Sequence, residues 1–183
     1  QGSQDAVFRG FGRELVNQFL KGYNVCIFAY GHTGSGKTYT MLGDGSAYVP
    51  KVEGDNAGLL PRFLHEIFSA HNQDPRGAAN RRYSCEFCEA YNEQIKDLLS
   101  PATREERTRK VHVHPKHGVC VDDLTTSLVT SAEEALQLVD FGNQMRTVAA
   151  TTMNERSSRS HAIFTLRFEQ KGEKGGSHDC QST

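Results

Sequence analysis

The stretch that decides the fold is Gly31-His32-Thr33-Gly34-Ser35-Gly36-Lys37-Thr38. It matches the phosphate-binding pattern G-x-x-x-x-G-K-[ST] at every fixed position. Glycines let the backbone curl tightly and bring its N–H groups against an anion. In this pattern Lys37 reaches the β- and γ-phosphates of a nucleotide, and the Thr38 hydroxyl binds a magnesium ion. The sequence therefore predicts a nucleotide site, to which the following helix adds its positive N-terminal end.

The residues around this loop support the prediction. Residues 24–30 form a short apolar run with β-branched and aromatic side chains, which is typical of a buried parallel strand. We expect this strand to be central in a sheet. Residues 38–42 can start a helix before Gly43 stops it. The alternative, a Gly/Ser turn with a stray lysine, is disfavoured because the pattern and its context agree independently.

Length, charge and cysteine content limit the kinds of protein that this chain can be. The chain has 183 residues and a formal net charge of −1, which suggests one domain and neither a nucleic-acid nor a membrane partner. No apolar run approaches a membrane span, and no secretory signal is visible at the start. Five irregularly spaced cysteines suit reduced thiols in a cytoplasmic protein. We interpret residues 4–170 as the domain, 1–3 as a tag or cleavage remnant, and 171–183 as a polar loop or disordered tail.

Hydrophobic periodicity predicts the elements on either side of the loop. A first amphipathic helix is expected from Val7 to Leu20, with Phe11 on its apolar face. A second helix starts near Pro61. The remaining expectations are surface loops at 43–57 and 71–82, strands at 83–91, 111–113, 119–121 and 162–170, a helical turn at 95–99, an unstructured charge run at 104–110, a helix from Ser131 to about Phe141, a loop at 147–159, and no structure after 170.

A second cluster of polar residues precedes the last predicted strand. It contains Asn154, Ser157, Ser158 and Arg159, followed by Ser160 and His161. One interpretation is simply a serine-rich loop. The sharper interpretation is a switch loop that folds over the γ-phosphate and its magnesium ion.

The motif N-x-x-S-S-R-S-H at 154–161, together with residues 28–41 and 89–99, resembles the kinesin motor domain. The resemblance runs from Phe8 to Lys171, with the motifs in family order. Residues 22–31 and 146–151 look most like the kinesin-3 subgroup. The resemblance implies an α/β fold of the P-loop NTPase class, with a mixed central sheet flanked by helices.

The resemblance also implies roles, position by position. Residues 31–38 would form the ATP phosphate loop, and Tyr39 would stack on the adenine. Asn154, Ser157, Ser158 and Arg159 would be the first switch. In that switch Ser158 would meet the magnesium ion or its water shell, Ser157 would help to place the attacking water, and Arg159 would pair with a glutamate of the second switch. The implied ligands are ATP and Mg²⁺, and the implied partner is the microtubule, which places the protein on the cytoskeleton.

The sequence departs from the family pattern at several points. The family's first strand and its second switch, usually Asp-Leu-Ala-Gly-Ser-Glu, are not found, and D-x-x-G at 55–58 and 74–77 lies in polar loops. We therefore expect an incomplete motor domain that shows little microtubule-stimulated hydrolysis by itself. Two hypotheses stay open: an ATP-driven microtubule motor in the intact parent, or a nucleotide-binding fragment without turnover. A GTPase is disfavoured because no Asn-Lys-x-Asp motif is present.

Other motifs carry weaker signals. Cys85 and Cys88 form a C-x-x-C inside a predicted strand, so their side chains should face opposite ways. A metal site at His112, His114, His117 and Cys120 is less favoured than a basic, solvated hairpin. In kinesins this hairpin region touches tubulin, and Arg109, Lys110 and Lys116 either serve that role or form a solvated face. Asp140-Phe141-Gly142 spells a kinase motif but lacks its H-R-D partner.

Overall fold

The computed structural model describes residues 3–44, 56–74, 79–101, 107–115, 118–150, 160–170 and 180–182. Its helices are α1 (Gln4–Val7), a π-helical turn (Phe8–Gly12), α2 (Arg13–Leu20), α3 (Lys37–Leu42), α4 (Leu59–Gln73) and α5 (Ala132–Ala150). Its strands are β1 (Arg81–Tyr91), β2 (Gln94–Asp97), β3 (Thr108–Arg109), β4 (Val111–His114), β5 (Gly118–Val121), β6 (Ser127–Val129), β7 (His161–Gln170) and β8 (Cys180–Ser182). Within these ranges, no helix is both long and apolar enough to cross a membrane.

The main sheet is built on the antiparallel pair β1 and β7. Their register runs from Arg81 opposite Gln170 to Ala90 opposite His161. The strand order is β3-β2-β1-β7-β8, and β6 pairs with the first half of β1, beside β2. Strands β4 and β5 form a separate hairpin. The α/β architecture is confirmed, whereas each ladder in the described part of the chain is antiparallel.

The helices pack on one face of the sheet. This face carries the row Tyr83, Cys85 and Phe87 of β1, which lie opposite Phe168, Leu166 and Phe164 of β7. Aromatic rings connect the two layers: the Tyr83 and Phe168 rings stack at 5.4 Å, and Phe19 of α2 lies 5.9 Å from Phe168. Leu64 and Ile67 of α4 are fully buried in the same core. The amphipathic faces predicted from sequence therefore form the core, as expected from their spacing.

A buried carboxylate organises the end of β2. The Asp97 side chain has no exposed surface. Its Oδ1 accepts hydrogen bonds from the N–H groups of Leu99 (3.0 Å) and Ser100 (3.2 Å). Its Oδ2 accepts from the N–H and the hydroxyl of Thr125, both at 2.8 Å, and from Arg109 Nη2 at 3.3 Å. The carboxylate thus joins β2, β3 and the chain before β6, because several donors compensate the loss of hydration.

Two sequence predictions in this region are wrong, and one strand was missed. Residues 95–99 do not form a helical turn. Instead Asn92 and Glu93 adopt positive φ angles of 49° and 61° in a two-residue hairpin turn, so that Gln94–Asp97 returns along β1. The charge run is also structured where it is described, because Thr108–Arg109 pairs with β2 and Arg109 contributes to the Asp97 site. Strand β6 was not predicted, because its three residues are too short a run to show an alternating pattern.

Helix α5 is longer than predicted, since it continues to Ala150 rather than ending near Phe141. Gly142, just after the predicted end, is needed for packing: a Cβ there would collide with the Phe87 ring. The helix start was predicted correctly. The Ser131 hydroxyl accepts from the Glu134 N–H at 3.2 Å, and the Glu134 carboxylate accepts from the N–H and hydroxyl of Thr130. These backbone and hydroxyl donors of Thr130 lower the pKa of Glu134.

Smaller corrections concern the two ends of the chain. Phe11 is 40% exposed, because the π-helical turn adds a residue and rotates it away from the core face. Ser3, set aside as a remnant, is the N-cap of α1 and accepts from the Ala6 N–H. In the predicted tail, Cys180–Ser182 pairs with Phe168–Gln170, since the edge of β7 offers free backbone groups. The other tail residues lie outside the described ranges.

The largest difference concerns residues 24–30. This segment is extended but belongs to no ladder among the described residues, so the predicted central parallel strand is not formed. Its side chains alternate: Val25 and Ile27 pack against the core, whereas Phe28 is 81% and Tyr30 94% exposed. Apolar residues on both sides predicted two buried faces. In the structure only one face finds a packing partner.

We expect Asp97→Ala to lower the free energy of unfolding by about 3–5 kcal/mol, because it removes the buried acceptor that Arg109 Nη2 and three backbone N–H groups share. Urea unfolding of the chain measures this. Asp122→Ala is the matched control, since among the described residues that half-exposed carboxylate pairs only with the half-exposed His112, and its loss should cost less than about 1 kcal/mol. Similar losses in the two variants would contradict the role assigned to Asp97.

Thiol labelling tests the position of residues 24–30. Cys26 is exposed and should react with a maleimide in the native state. Cys85 and Cys88 should react only after unfolding, because burial shields them and raises their pKa values to about 12 and about 11. Mass spectrometry locates the modified residues, and labelling in urea is the control. Protection of Cys26 in the native chain would show that the segment is covered, as the sequence predicted.

Candidate functional site

The glycine-rich loop at 31–38 follows the extended segment and runs directly into α3. Gly34 and Gly36 have φ angles of 82° and 90°, a left-handed backbone that favours glycine. Gly36 is the N-cap of α3, and the Ser35 N–H donates to the His32 carbonyl at 3.1 Å, which closes a tight turn. The loop therefore has the curled backbone that the pattern predicted.

Lys37 folds back over the loop. Its Nζ donates to the carbonyl oxygens of Gly31 at 2.8 Å and of His32 at 2.9 Å. The ammonium is partly buried, whereas residues 32–35 and Thr38 are exposed. The positive charge thus lies at the end of the extended segment and is held by the loop itself. An anion that enters the loop would exchange with these carbonyls for the ammonium donors.

The start of α3 suits an anion. No side chain caps this helix, and the Thr40 N–H makes the first helical bond to the Gly36 carbonyl at 2.8 Å. The first N–H groups of a helix have no acceptor within it, and they carry a positive partial charge. His32 does not cap the helix: its Nδ1 donates to the Thr33 carbonyl at 2.7 Å. Uncapped N–H groups and Lys37 together make this end of the fold electropositive.

The far end of α3 is fixed by contacts that the sequence analysis missed. Gln4, 5% exposed, donates from Nε2 to the Tyr39 carbonyl at 2.6 Å. At the next turn a Cβ on Gly58 would lie 2.5 Å from the Met41 carbonyl group, so only glycine fits where α3 crosses the start of α4. A clue to Gln4 was its position one turn before Phe8, on the core face of the first helix. These contacts hold the loop and its helix against the core.

The donor set fits a nucleotide with a magnesium ion. The loop offers backbone N–H groups and an ammonium for phosphates, and the exposed Thr38 hydroxyl is a hard oxygen ligand, the type that Mg²⁺ prefers. Tyr39, predicted to stack on an adenine, has 47% of its surface exposed and is open to a ring from outside. Among the described residues, no group of three or more His, Cys, Asp or Glu could hold a metal ion by itself.

The second predicted cluster is only flanked by described structure. Asn154, Ser157, Ser158 and Arg159 lie outside the described residues. Before them α5 runs to Ala150, and after them Ser160 leads into β7. Arg146 near the end of α5 donates to Glu89 Oε1 at 3.3 Å and to Ser160 Oγ at 3.2 Å. Sequence reasoning gave Arg146 and Glu89 no role in a site, and it placed Ser160 in the polar cluster without a role of its own.

The weaker motifs take ordinary structural positions. Cys85 and Cys88 are buried in β1, where strand alternation turns them to opposite faces. His112 pairs with Asp122 at 2.8 Å, and Val113 and Val119 of the same hairpin are exposed. Arg109 was a candidate for a partner surface, but it is engaged by Asp97 and by the Asp123 carbonyl. Lys110 is exposed.

Comparison with known proteins agrees with this geometry. The family model described as "Kinesin motor domain" matches residues 1–183, which includes both ends set apart in the sequence analysis. The mouse kinesin-like protein KIF16B is 44% identical over 169 residues, covering 92% of this chain and 12% of the relative. Rat KIF1A is also 44% identical, over 92% of this chain and 9% of the relative, and rat KIF1C is 42% identical over 97% and 15%. These relatives are kinesin-3 proteins, as the subgroup resemblance predicted.

The fold agrees as well. A solved structure titled as that of a fast kinesin superposes with a TM-score of 0.84 at 34% identity. The alignment covers 99% of this chain and 48% of that structure, so the chain spans about half of a solved kinesin structure and a much smaller part of its curated relatives. The family model, the relatives and the fold all lead to one conclusion: the chain belongs to the kinesin motor domain family.

Proposed function

We propose that this chain carries the ATP site of a microtubule motor, which couples ATP binding and hydrolysis to movement along the cytoskeleton. The observation that supports it most is the glycine loop at 31–38, with Lys37 held over its carbonyls and an uncapped helix start beside it. Family membership supports the microtubule as the class of partner. The activity, the partner and the location belong to the proposal.

The residues of the chain would share the work of phosphoryl transfer. Backbone N–H groups of the loop and Lys37 bind and orient the β- and γ-phosphates, which places the reacting phosphorus. Thr38 and Ser158 would hold the magnesium ion, which when bound offsets phosphate charge. Ser157 would help to orient the attacking water, Asn154 would belong to the same switch, and Arg159 would pair with an acidic residue when the switch closes. Tyr39 would stack on the adenine. Catalysis here is mainly positioning and electrostatic stabilisation.

The alternative is a nucleotide-binding fragment without turnover. The exposure of Phe28 and Tyr30 beside the loop favours it for the chain by itself, because no other described segment covers this apolar surface. Phosphate release separates the two functions. Stimulation by microtubules in the intact protein that contains this chain supports the motor. Binding of ATP without release, with or without microtubules, supports the fragment.

Lys37→Ala should lower ATP affinity by about 10- to 100-fold, because charge-assisted hydrogen bonds to phosphate contribute about 1.5–3 kcal/mol. The melting temperature should change little, since among the described residues the Lys37 ammonium donates only to two carbonyls of its own loop. Titration calorimetry with MgATP measures affinity. Lys110→Ala is the control, an exposed lysine on a different segment. Equal ATP affinity of the Lys37→Ala and unsubstituted chains would contradict the assignment of the loop.

Ser158→Ala in the intact protein should leave ATP binding measurable and slow hydrolysis at least about tenfold, because its hydroxyl acts when the switch closes on the magnesium ion. Steady-state phosphate release with microtubules gives the rate. Ser69→Ala, which removes an exposed hydroxyl from α4, is the matched control. An unchanged rate in Ser158→Ala would remove this residue from the mechanism.

A further inference from the structure

A buried ion pair lies at one end of the β1–β7 ladder. Glu89 continues the core row of β1 and lies opposite Ala162 of β7, with only 4% of its side chain exposed. Arg146 of α5 donates from Nε to its Oε1 at 3.3 Å. A carboxylate this deeply buried is destabilising unless it is paired and hydrogen-bonded. The pair therefore fixes where the last turns of α5 lie on the sheet.

The same guanidinium also holds the start of β7. Its Nη2 donates to Ser160 Oγ at 3.2 Å, and the next residue, His161, already pairs with Ala90 of β1. One side chain thus contacts β1, belongs to α5 and binds the residue that enters β7. A planar guanidinium can serve two acceptors in fixed directions, whereas a lysine ammonium presents a single compact charge.

We propose that Arg146 is a positioning residue for ATP hydrolysis. By binding Glu89 and Ser160 together, it fixes the point where the chain leaves α5 and the point where it enters β7. The inference rests on the proposed function, because the residues between these points are those assigned to the first switch. The contacts of Arg146 are with Glu89 and Ser160, so we assign it a positioning role and not a catalytic one. It acts by setting the distance between two anchors, and small displacements of catalytic groups can cost about 100-fold in rate.

Arg146, Glu89 and Ser160 together form what we call the clamp. Its position predicts which kinetic constant changes. The phosphate loop lies on another segment and is held by Gln4 and by the crossing of α3 with α4. Weakening the hydrogen bonds of Arg146 should therefore leave ATP binding intact and lower kcat. A merely structural role would lower the melting temperature without separating kcat from the KM for ATP.

Two variants test the clamp in the intact protein that contains this chain. Ser160→Ala removes the acceptor at β7 and keeps the ion pair with Glu89. Arg146→Lys keeps the positive charge but removes the planar guanidinium that donates to both acceptors. The chain also offers a matched cluster on the opposite face of β1, where Glu86 accepts from Arg167 at 2.9 Å and from the Thr126 hydroxyl at 3.0 Å. Thr126→Ala and Arg167→Lys are the corresponding controls.

The measurements are microtubule-stimulated phosphate release, the affinity for MgATP, the melting temperature, and amide hydrogen exchange at residues 143–147 and 160–163. Ser160→Ala and Arg146→Lys should lower kcat by about tenfold, keep ATP affinity within about twofold, and speed exchange at both anchors. The control variants should leave kcat within about twofold.

Each other outcome overturns the inference. If kcat is unchanged, or if exchange rises at one anchor only, Arg146 does not position the segment between them. If the controls lower kcat as much, the effect is general destabilisation. If the unsubstituted protein hydrolyses no ATP, the proposed function fails together with the inference. If it is active and the variants match it, only the inference fails.

Discussion

The pairing of β1 with β7 is the interaction on which the rest of the structure depends. Ten residues of each strand are in register, and one face of this ribbon carries an aromatic and aliphatic row that the helices cover. The paired residues are far apart in the chain: 89 positions separate Arg81 from Gln170 at one end of the ladder, and 71 separate Ala90 from His161 at the other. Shifting their register by one residue would turn the whole apolar row to the other face, so burial fixes the pairing.

Buried acids make this arrangement specific. Asp97, Glu86 and Glu89 are all buried, and each pairs with an arginine from a different part of the chain: Arg109, Arg167 and Arg146. An unpaired carboxylate at any of these places would be strongly destabilising, which disfavours alternative packings. Two of the pairs, at Glu86 and Glu89, are on opposite faces of β1, so the strand is tied from both sides. Asp97 ties the hairpin that follows it.

The phosphate loop depends on this core only indirectly. It is carried by α3, which is anchored by Gln4 and crosses the first residues of α4 at Gly58. Helix α4 in turn contributes fully buried side chains to the core. The loop itself makes its contacts with its own backbone and with Lys37, which leaves its rim exposed. A rigid support under a solvated loop is a suitable arrangement for binding a charged ligand.

The sequence by itself determined the local features. The glycine loop, the cap at Ser131, the two long strands and the apolar face of α4 follow from residue type and spacing, because they depend on contacts within a few residues. It also determined the family, since the loop and the motif at 154–161 occur in family order. The roles proposed for the loop residues, Tyr39 and the residues at 154–159 remain predictions.

Tertiary structure alone decided what depends on distant partners. Residues 24–30 have a strand's composition but no ladder among the described residues, because backbone pairing requires a neighbour that local sequence cannot supply. Gly142 lies inside α5, where the Phe87 ring occupies the space that a Cβ would fill. The hairpin at Asn92 and Glu93 requires two positive φ angles, which asparagine tolerates but glutamate disfavours, and Arg146 meets Glu89 across 57 residues. Each of these outcomes is set by packing between segments far apart in the chain, where periodicity carries no information.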